Sequence, residues 1–167
     1  MKVKKIPILF GGLLLLVTLA YAGQDRVLPD PNLTPGEIMS AVTKEDICAP
    51  GYSQSVRHVP ESEKKQVYQE YNMQPHKSPC PCEVDHLVSL ELGGSNDIKN
   101  LWPQPYSGVW NAHMKDRLEN WLHREVCKGN MTLQEAQAAI RGDWTKAYIK
   151  YGIAKVGNKG YIIKVVH

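Results

Sequence analysis

Residues 83–104 read EVDHLVSLELGGSNDIKNLWPQ, and this stretch decides the predicted fold. Two short runs with apolar residues flank a Gly-rich turn, a pattern that predicts strand, loop and strand. From Ala112 to Cys127, Met, Leu, Trp and Val recur at helical spacing, so a long amphipathic helix is expected next. About 145 residues follow the leader described below, enough for one domain and one core. The expected fold class is α+β.

Asp85 and His86 place a carboxylate beside an imidazole on the first predicted strand. Asp85 can ligate a hard divalent ion, and a neutral His86 can take the proton of an attacking water. Neighbouring side chains on a strand point to opposite faces, so the pair needs separate roles or a distorted strand. Asn111 or His113, at the start of the long helix, would add a further ligand. This order suits metal-assisted phosphodiester cleavage.

Asn100 stands fourteen residues after His86, at the entry to the second predicted strand. Its amide both donates and accepts, so it can tie the Gly-rich loop to the strand and keep His86 oriented. Each residue also has an ordinary structural interpretation: Asn100 as a turn residue, and Asn111 as a helix N-cap. The conjunction of these residues in this order favours a nuclease-type site.

The ordered set resembles the HNH endonucleases. The stretch from about Cys48 to Tyr151 is similar to small secreted HNH-type proteins that carry Asp-His-Leu, Glu-Leu-Gly-Gly and Asn-Leu-Trp-Pro-Gln. The resemblance implies a ββα-metal core with flanking helices and cleavage of DNA or RNA. It also implies one divalent ion, with Mg²⁺ expected and Mn²⁺, Ca²⁺ or Zn²⁺ as alternatives.

By the same resemblance, His86 is the general base and Asn100 the structural asparagine of the catalytic site. Asp85 is a metal ligand, and the helix supplies a second one. Many members have His at that third position, so Asn111 and His113 both remain candidates, with Asn111 favoured.

Residues 1–22 have the layout of a cleaved secretory signal peptide: three lysines, an apolar run and a final Ala-Tyr-Ala. An uncleaved membrane anchor is the alternative, although the run is short for a span. The chain has 20 Lys and Arg against 17 Asp and Glu, and the three leader lysines account for the whole excess. Phosphate attraction must therefore come from a local patch, for which Arg57 and Lys115 are the substrate-binding candidates.

The segment 23–45 is expected to hold a short helix over 34–42, with Thr34 as its cap. Residues 46–151 form the predicted nuclease domain, irregular from Cys48 to Pro60 and then helical from Glu61 to Tyr71. A capping box at Thr132 to Glu135 opens a helix that pairs with the preceding one. Residues 152–167 form a tail or a terminal hairpin.

Four cysteines in an exported chain predict two disulfides, with three connectivities open. Cys48 with Cys127 would tie the irregular segment to the end of the long helix. Cys80 and Cys82 are separated only by Pro81, so a bond between them would be strained and pairing elsewhere stays open. Zinc binding by these thiols is the rival interpretation.

The leading hypothesis is a secreted or periplasmic metal-dependent endonuclease of little sequence specificity, because no base-reading module is visible. One alternative is a catalytically inactive ββα module that binds nucleic acid or a cell-surface partner. Another is a zinc-stapled structural protein.

Overall fold

A computed structural model describes residues 27–74, 81–151, 153–156 and 162–165. This part of the chain forms five α-helices and two small antiparallel sheets, so the predicted α+β class is confirmed. In chain order they are α1 (Lys44–Ile47), α2 (Tyr52–Val56), α3 (Glu61–Glu70), β1 (Cys82–His86), β2 (Leu101–Pro105), α4 (Ala112–Lys128), α5 (Leu133–Lys150), β3 (Ala154–Val156) and β4 (Ile162–Val165).

The predicted order of strand, loop, strand and helix is confirmed. β1 and β2 pair antiparallel with Asp85 opposite Trp102 and His86 opposite Leu101. Two short 3₁₀ turns, Leu90–Leu92 and Ile98–Asn100, lie in the loop between the strands. A backbone bridge between Ile38 and Gly94 fastens the N-terminal segment to this loop.

The long helices α4 and α5 pack against each other and bury the apolar stripes that their sequences predict. α4 ends at Gly129, which has a φ of 80° and so adopts the left-handed conformation that favours glycine. The predicted capping box then forms between Thr132 and Glu135 and opens α5. The shared core is the largest apolar cluster; among its members are Met114, Leu118, Leu122, Val126, Leu133, Ala136, Ile140, Trp144, Ala147 and Tyr148.

Two local predictions near the N-terminus are wrong. No helix forms over 34–42, because the Thr34 hydroxyl contacts the Tyr71 hydroxyl at 2.7 Å and donates to the Leu101 carbonyl at 2.8 Å instead of capping. The segment from 48 to 60 was expected to be irregular, but it contains the short helix α2 after Gly51, whose φ of 80° makes the turn. α3 agrees with its prediction and buries Val67 and Tyr68.

Cys48 and Cys127 form a disulfide that ties the end of α1 to the last turn of α4. Cys82 is disulfide-bonded as well, whereas Cys80 lies outside the described residues. Disulfides persist in oxidising compartments, so the Cys48–Cys127 bond indicates an extracellular or periplasmic environment.

The two ends of the chain are only partly described. The predicted signal peptide at 1–22 lies outside the described residues. Within the described ranges, no helix has the length and apolar character needed to cross a bilayer. β3 and β4 pair antiparallel, and the residues between them lie outside the described ranges.

Candidate functional site

His86 lies at the end of β1 and is almost fully buried, with 4% of its surface exposed. Its Nε2 lies 3.2 Å from Oδ1 of Asn96, a residue of the Gly-rich loop. The Asn96 amide is itself fixed, because its Nδ2 donates to the Val56 carbonyl at 2.7 Å. Its Oδ1 also accepts the His58 backbone N–H at 3.2 Å. Asn96 therefore connects the histidine ring to the segment after α2.

These contacts define which ring nitrogen of His86 carries the proton. Asn96 Oδ1 accepts a hydrogen bond, so Nε2 must be the donor. In the neutral ring, Nδ1 then has a lone pair, and no described residue donates a hydrogen bond to it. Burial lowers the pKa of His86 below its ordinary value, the Asp85 carboxylate and Asn96 oppose this shift, and the charge of Arg57 adds to it. A neutral imidazole with one available nitrogen is suited to accept a proton.

Asn100 is fully buried and joins the Gly-rich loop to the end of the sheet. Its Oδ1 accepts the Val88 N–H at 2.9 Å, and its Nδ2 donates to the carbonyls of Val88 at 2.9 Å and Ser95 at 2.8 Å. The Gly-rich loop also runs very close to the backbone of Val88: a Cβ at Gly94 would lie 1.8 Å from the Val88 carbonyl oxygen. Asn100 thus ties loop to strand as its sequence position suggested, while the direct contact to His86 comes from Asn96.

A cleft of about 780 Å³ opens beside His86 between the end of α2, α3 and β1. Besides His86, its lining includes four basic or imidazole side chains, two tyrosines and two carboxylates: Arg57, His58, Lys64, Lys65, Tyr68, Tyr106, Glu61 and Glu83. Lys64 is paired with Glu61 at 2.5 Å. Arg57 and Lys65 are exposed and form no ion pair with any described residue, so their charges face solvent in the cleft.

Tyr106 projects from the end of β2 at the same cleft. Its hydroxyl donates a hydrogen bond to Glu83 Oε2 at 2.7 Å. The residue is nevertheless 43% exposed. The hydrogen bond to Glu83, with burial and the Glu83 charge, raises the pKa of Tyr106 to about 12. The cleft therefore combines positive charge with an anchored, accessible aromatic ring.

Asp85 faces α4 rather than the cleft cations. Its Oδ2 accepts a hydrogen bond from Lys115 Nζ at 2.7 Å. Lys115 also donates to the His86 carbonyl at 2.6 Å and to the Glu119 carboxylate. Burial alone would lower the pKa of Lys115, but the carboxylates of Asp85 and Glu119 outweigh it and raise the pKa. For Glu119 the effect of burial has the opposite sign: burial raises the pKa of its carboxyl, and the charge of Lys115 only partly opposes this shift.

Lys115 was expected to bind substrate, and its position corrects that expectation. Its side chain is 0% exposed, and it forms three hydrogen bonds with protein oxygens. The ammonium has three donors, all of them engaged. Lys115 is therefore not available to a substrate phosphate, whereas Arg57 is.

The proposed helix ligands have other contacts. Asn111 is the N-cap of α4: its Oδ1 accepts the Met114 N–H at 3.1 Å and its Nδ2 donates to the Gly108 carbonyl at 2.9 Å. His113 is exposed, with its ring centroid 5.9 Å from that of Tyr106. As arranged, Oδ2 of Asp85 is engaged by the Lys115 ammonium and Oδ1 of Asn111 by the Met114 N–H, so a divalent ion would have to displace these contacts.

Among the described His, Cys, Asp and Glu side chains, the only group of three with ligand atoms within 4.8 Å of one another is elsewhere. It consists of Cys48, His123 and Cys127. The two sulfurs are bonded to each other, so neither is a thiolate ligand in this oxidised structure. His123 Nε2 lies 3.0 Å from the Ile47 carbonyl oxygen. The zinc-stapled alternative therefore has no support in the disulfide-bonded chain.

Two functional residues were not singled out from the sequence. Asn96 stands in the Gly-Gly-Ser-Asn-Asp turn, where Asn is common for local reasons, and nothing local indicates a contact with His86. Glu119 had a detectable signal, because it lies four residues after Lys115 on a predicted helix, the spacing of an ion pair.

Comparison with known proteins identifies no relative: no family model, no curated protein and no solved structure matches the chain.

Proposed function

We propose that the chain is a secreted endonuclease that hydrolyses phosphodiester bonds of DNA or RNA with little sequence specificity. The observation that carries the proposal is His86: a buried imidazole whose Nε2 donates to Asn96, in the wall of a cleft where Arg57 and Lys65 form no ion pair with any described residue. The succession of β1, β2 and α4 also agrees with the ββα arrangement that the HNH resemblance implies.

The chemistry follows from the groups at the cleft. Nδ1 of His86 accepts the proton of the attacking water while Nε2–H holds the ring on Asn96; as the new P–O bond forms, the bond to the leaving oxygen breaks and that oxygen takes a proton from solvent water. The Arg57 guanidinium stabilises the charge that develops on the phosphate oxygens, and its planar fork suits them. The resemblance implies a divalent ion; among the described residues, the oxygens proposed as its ligands are engaged by protein donors, and the proton transfer and the charge stabilisation above are assigned to the chain's own groups.

The test is cleavage of plasmid DNA, single-stranded DNA and total RNA by the oxidised mature chain, in EDTA and in Mg²⁺ or Mn²⁺. His86→Ala is expected to lose about 10²- to 10⁴-fold in rate, the usual contribution of a general base. Asn120→Ala, on the exposed face of α4, is the control for handling and folding. Comparable cleavage by His86→Ala and the parent would reject His86 as the base.

A second candidate is an inactive module that binds nucleic acid through the same cleft. The observation that favours it is the ion pair between Lys115 and Asp85, which engages Oδ2 of the carboxylate next to His86. This candidate predicts binding without turnover under every metal condition. The affinity should fall steeply with salt and should weaken in Arg57→Ala. Cleavage that requires His86 would exclude it.

A further inference from the structure

The ammonium of Lys115 is surrounded by three oxygens that come from two different elements. β1 supplies Oδ2 of Asp85 at 2.7 Å and the carbonyl oxygen of His86 at 2.6 Å, and α4 supplies the carboxylate of Glu119. The side chain starts in the first turn of α4 and is fully buried. One buried cation thus joins the helix to the strand that carries the candidate base.

Two carboxylates and a backbone carbonyl form the donor set that hard metal cations select in proteins. They also match the three N–H donors of one ammonium group. A buried cation is tolerated only when such partners replace its lost water, so the three oxygens and Lys115 require each other. We propose that Lys115 is a tethered cation that occupies this three-oxygen site and excludes a divalent metal ion from it.

The tethered cation has a positioning role. It fixes the Asp85 carboxylate and the His86 carbonyl, and through that carbonyl it fixes the strand end that carries the imidazole. A metal ion would have to displace Lys115 from the same oxygens, and a tethered competitor has a high effective concentration there. Lys115 has this role whether or not the protein cleaves nucleic acid.

The first experiment titrates Mn²⁺ into the chelator-treated, oxidised wild-type chain and measures bound ion by electron paramagnetic resonance, with Asp85→Asn in parallel. We expect no Asp85-dependent binding up to about 1 mM, the weak end of protein sites for divalent ions. EDTA should leave Tm unchanged. Stoichiometric binding to wild type that disappears in Asp85→Asn would overturn the proposal.

The second experiment removes the tethered cation. Lys115→Ala leaves the buried Glu119 carboxylate and the half-buried Asp85 carboxylate without this cation, so Tm should fall by about 10 °C or more without metal. The variant should gain one Mn²⁺ site, and Mn²⁺ should raise its Tm by mass action. Lys128→Ala is the matched control, because Lys128 belongs to the same helix but pairs at the surface with Glu125 at 3.2 Å.

Lys115→Met is measured in the same way, since it keeps the volume of the stem. A folded Lys115 variant that binds no Mn²⁺, or that keeps the Tm of the parent, overturns the proposal. If neither variant folds, the wild-type titration decides it. These readouts are binding and stability, so they are separate from the nuclease test: loss of cleavage in His86→Ala bears on function alone.

Discussion

Asn100→Ala removes a side chain that joins the end of the Gly-rich loop to Val88, just after β1, and to Ser95 within the loop. Three hydrogen bonds to buried backbone groups of Val88 and Ser95 disappear with it. Each contributes about 1 kcal/mol, so the free energy of unfolding should fall by about 3 kcal/mol. Water cannot replace the amide readily, because Asn100 and Val88 are both 0% exposed. For a chain of this length the loss corresponds to about 10 °C in Tm.

The measurement is urea unfolding of the oxidised chain followed by tryptophan fluorescence, with m-values checked for two-state behaviour. Asn120→Ala loses a single exposed bond to the Asp116 carbonyl and should change stability by less than about 0.5 kcal/mol. Asn100→Asp keeps the acceptor for the Val88 N–H but loses both donors, so it should resemble Asn100→Ala or be worse. A loss below about 1 kcal/mol in Asn100→Ala would refute the assigned role.

Three further outcomes follow from the same structure. Gly94→Ala should destabilise strongly, because its Cβ would lie 1.8 Å from a backbone oxygen, whereas Gly142→Ala meets nothing within 4 Å; thermal melts compare the two. Replacing Cys48 and Cys127 by serine opens a covalent loop of 79 residues and should cost about 4 kcal/mol in urea unfolding, and an unchanged midpoint would count against a structural bond. The folded pKa of His86 lies below 6.5, so the unfolded chain binds the extra proton first and stability should fall as pH drops below 6.5. In His86→Asn that part of the pH dependence should vanish, as should any acid limb of cleavage below pH 6.5.

Periodic sequence patterns predicted most of the fold. The strands, the loop between them and the capped helix pair follow from signals that span only a few neighbouring residues. Thr34 shows the limit: Thr-Pro-Gly-Glu has the local pattern of a helix start, but the hydroxyl gains more from the long-range bonds to Tyr71 and Leu101. A contact across 67 residues leaves no local pattern.

The site was less predictable than the fold. Lys115 was predicted, with Arg57, to bind substrate as part of a local basic patch that attracts phosphate. Its spacing argued otherwise, because positions 115, 118, 122 and 126 fall on the apolar stripe of α4. A lysine on such a stripe needs anions within reach of its ammonium, and Asp85 and Glu119 supply them. Lys115, Asp85 and Glu119 are all visible in the sequence, but the sequence does not show that β1 and α4 bring them within hydrogen-bonding distance.

α4 carries the buried cation in its first turn and a disulfide in its last. Lys115 and Cys127 are twelve residues apart, so at 1.5 Å per residue about 18 Å of helix separates them. The helix acts as a rigid spacer between a covalent anchor and an electrostatic one. Reduction of the disulfide frees the distal end from α1 but leaves Lys115 on its three oxygens. Loss of the Cys48–Cys127 bond alone, as in the double serine variant, should therefore lower global stability while the contacts of Lys115 beside His86 are kept until the whole chain unfolds.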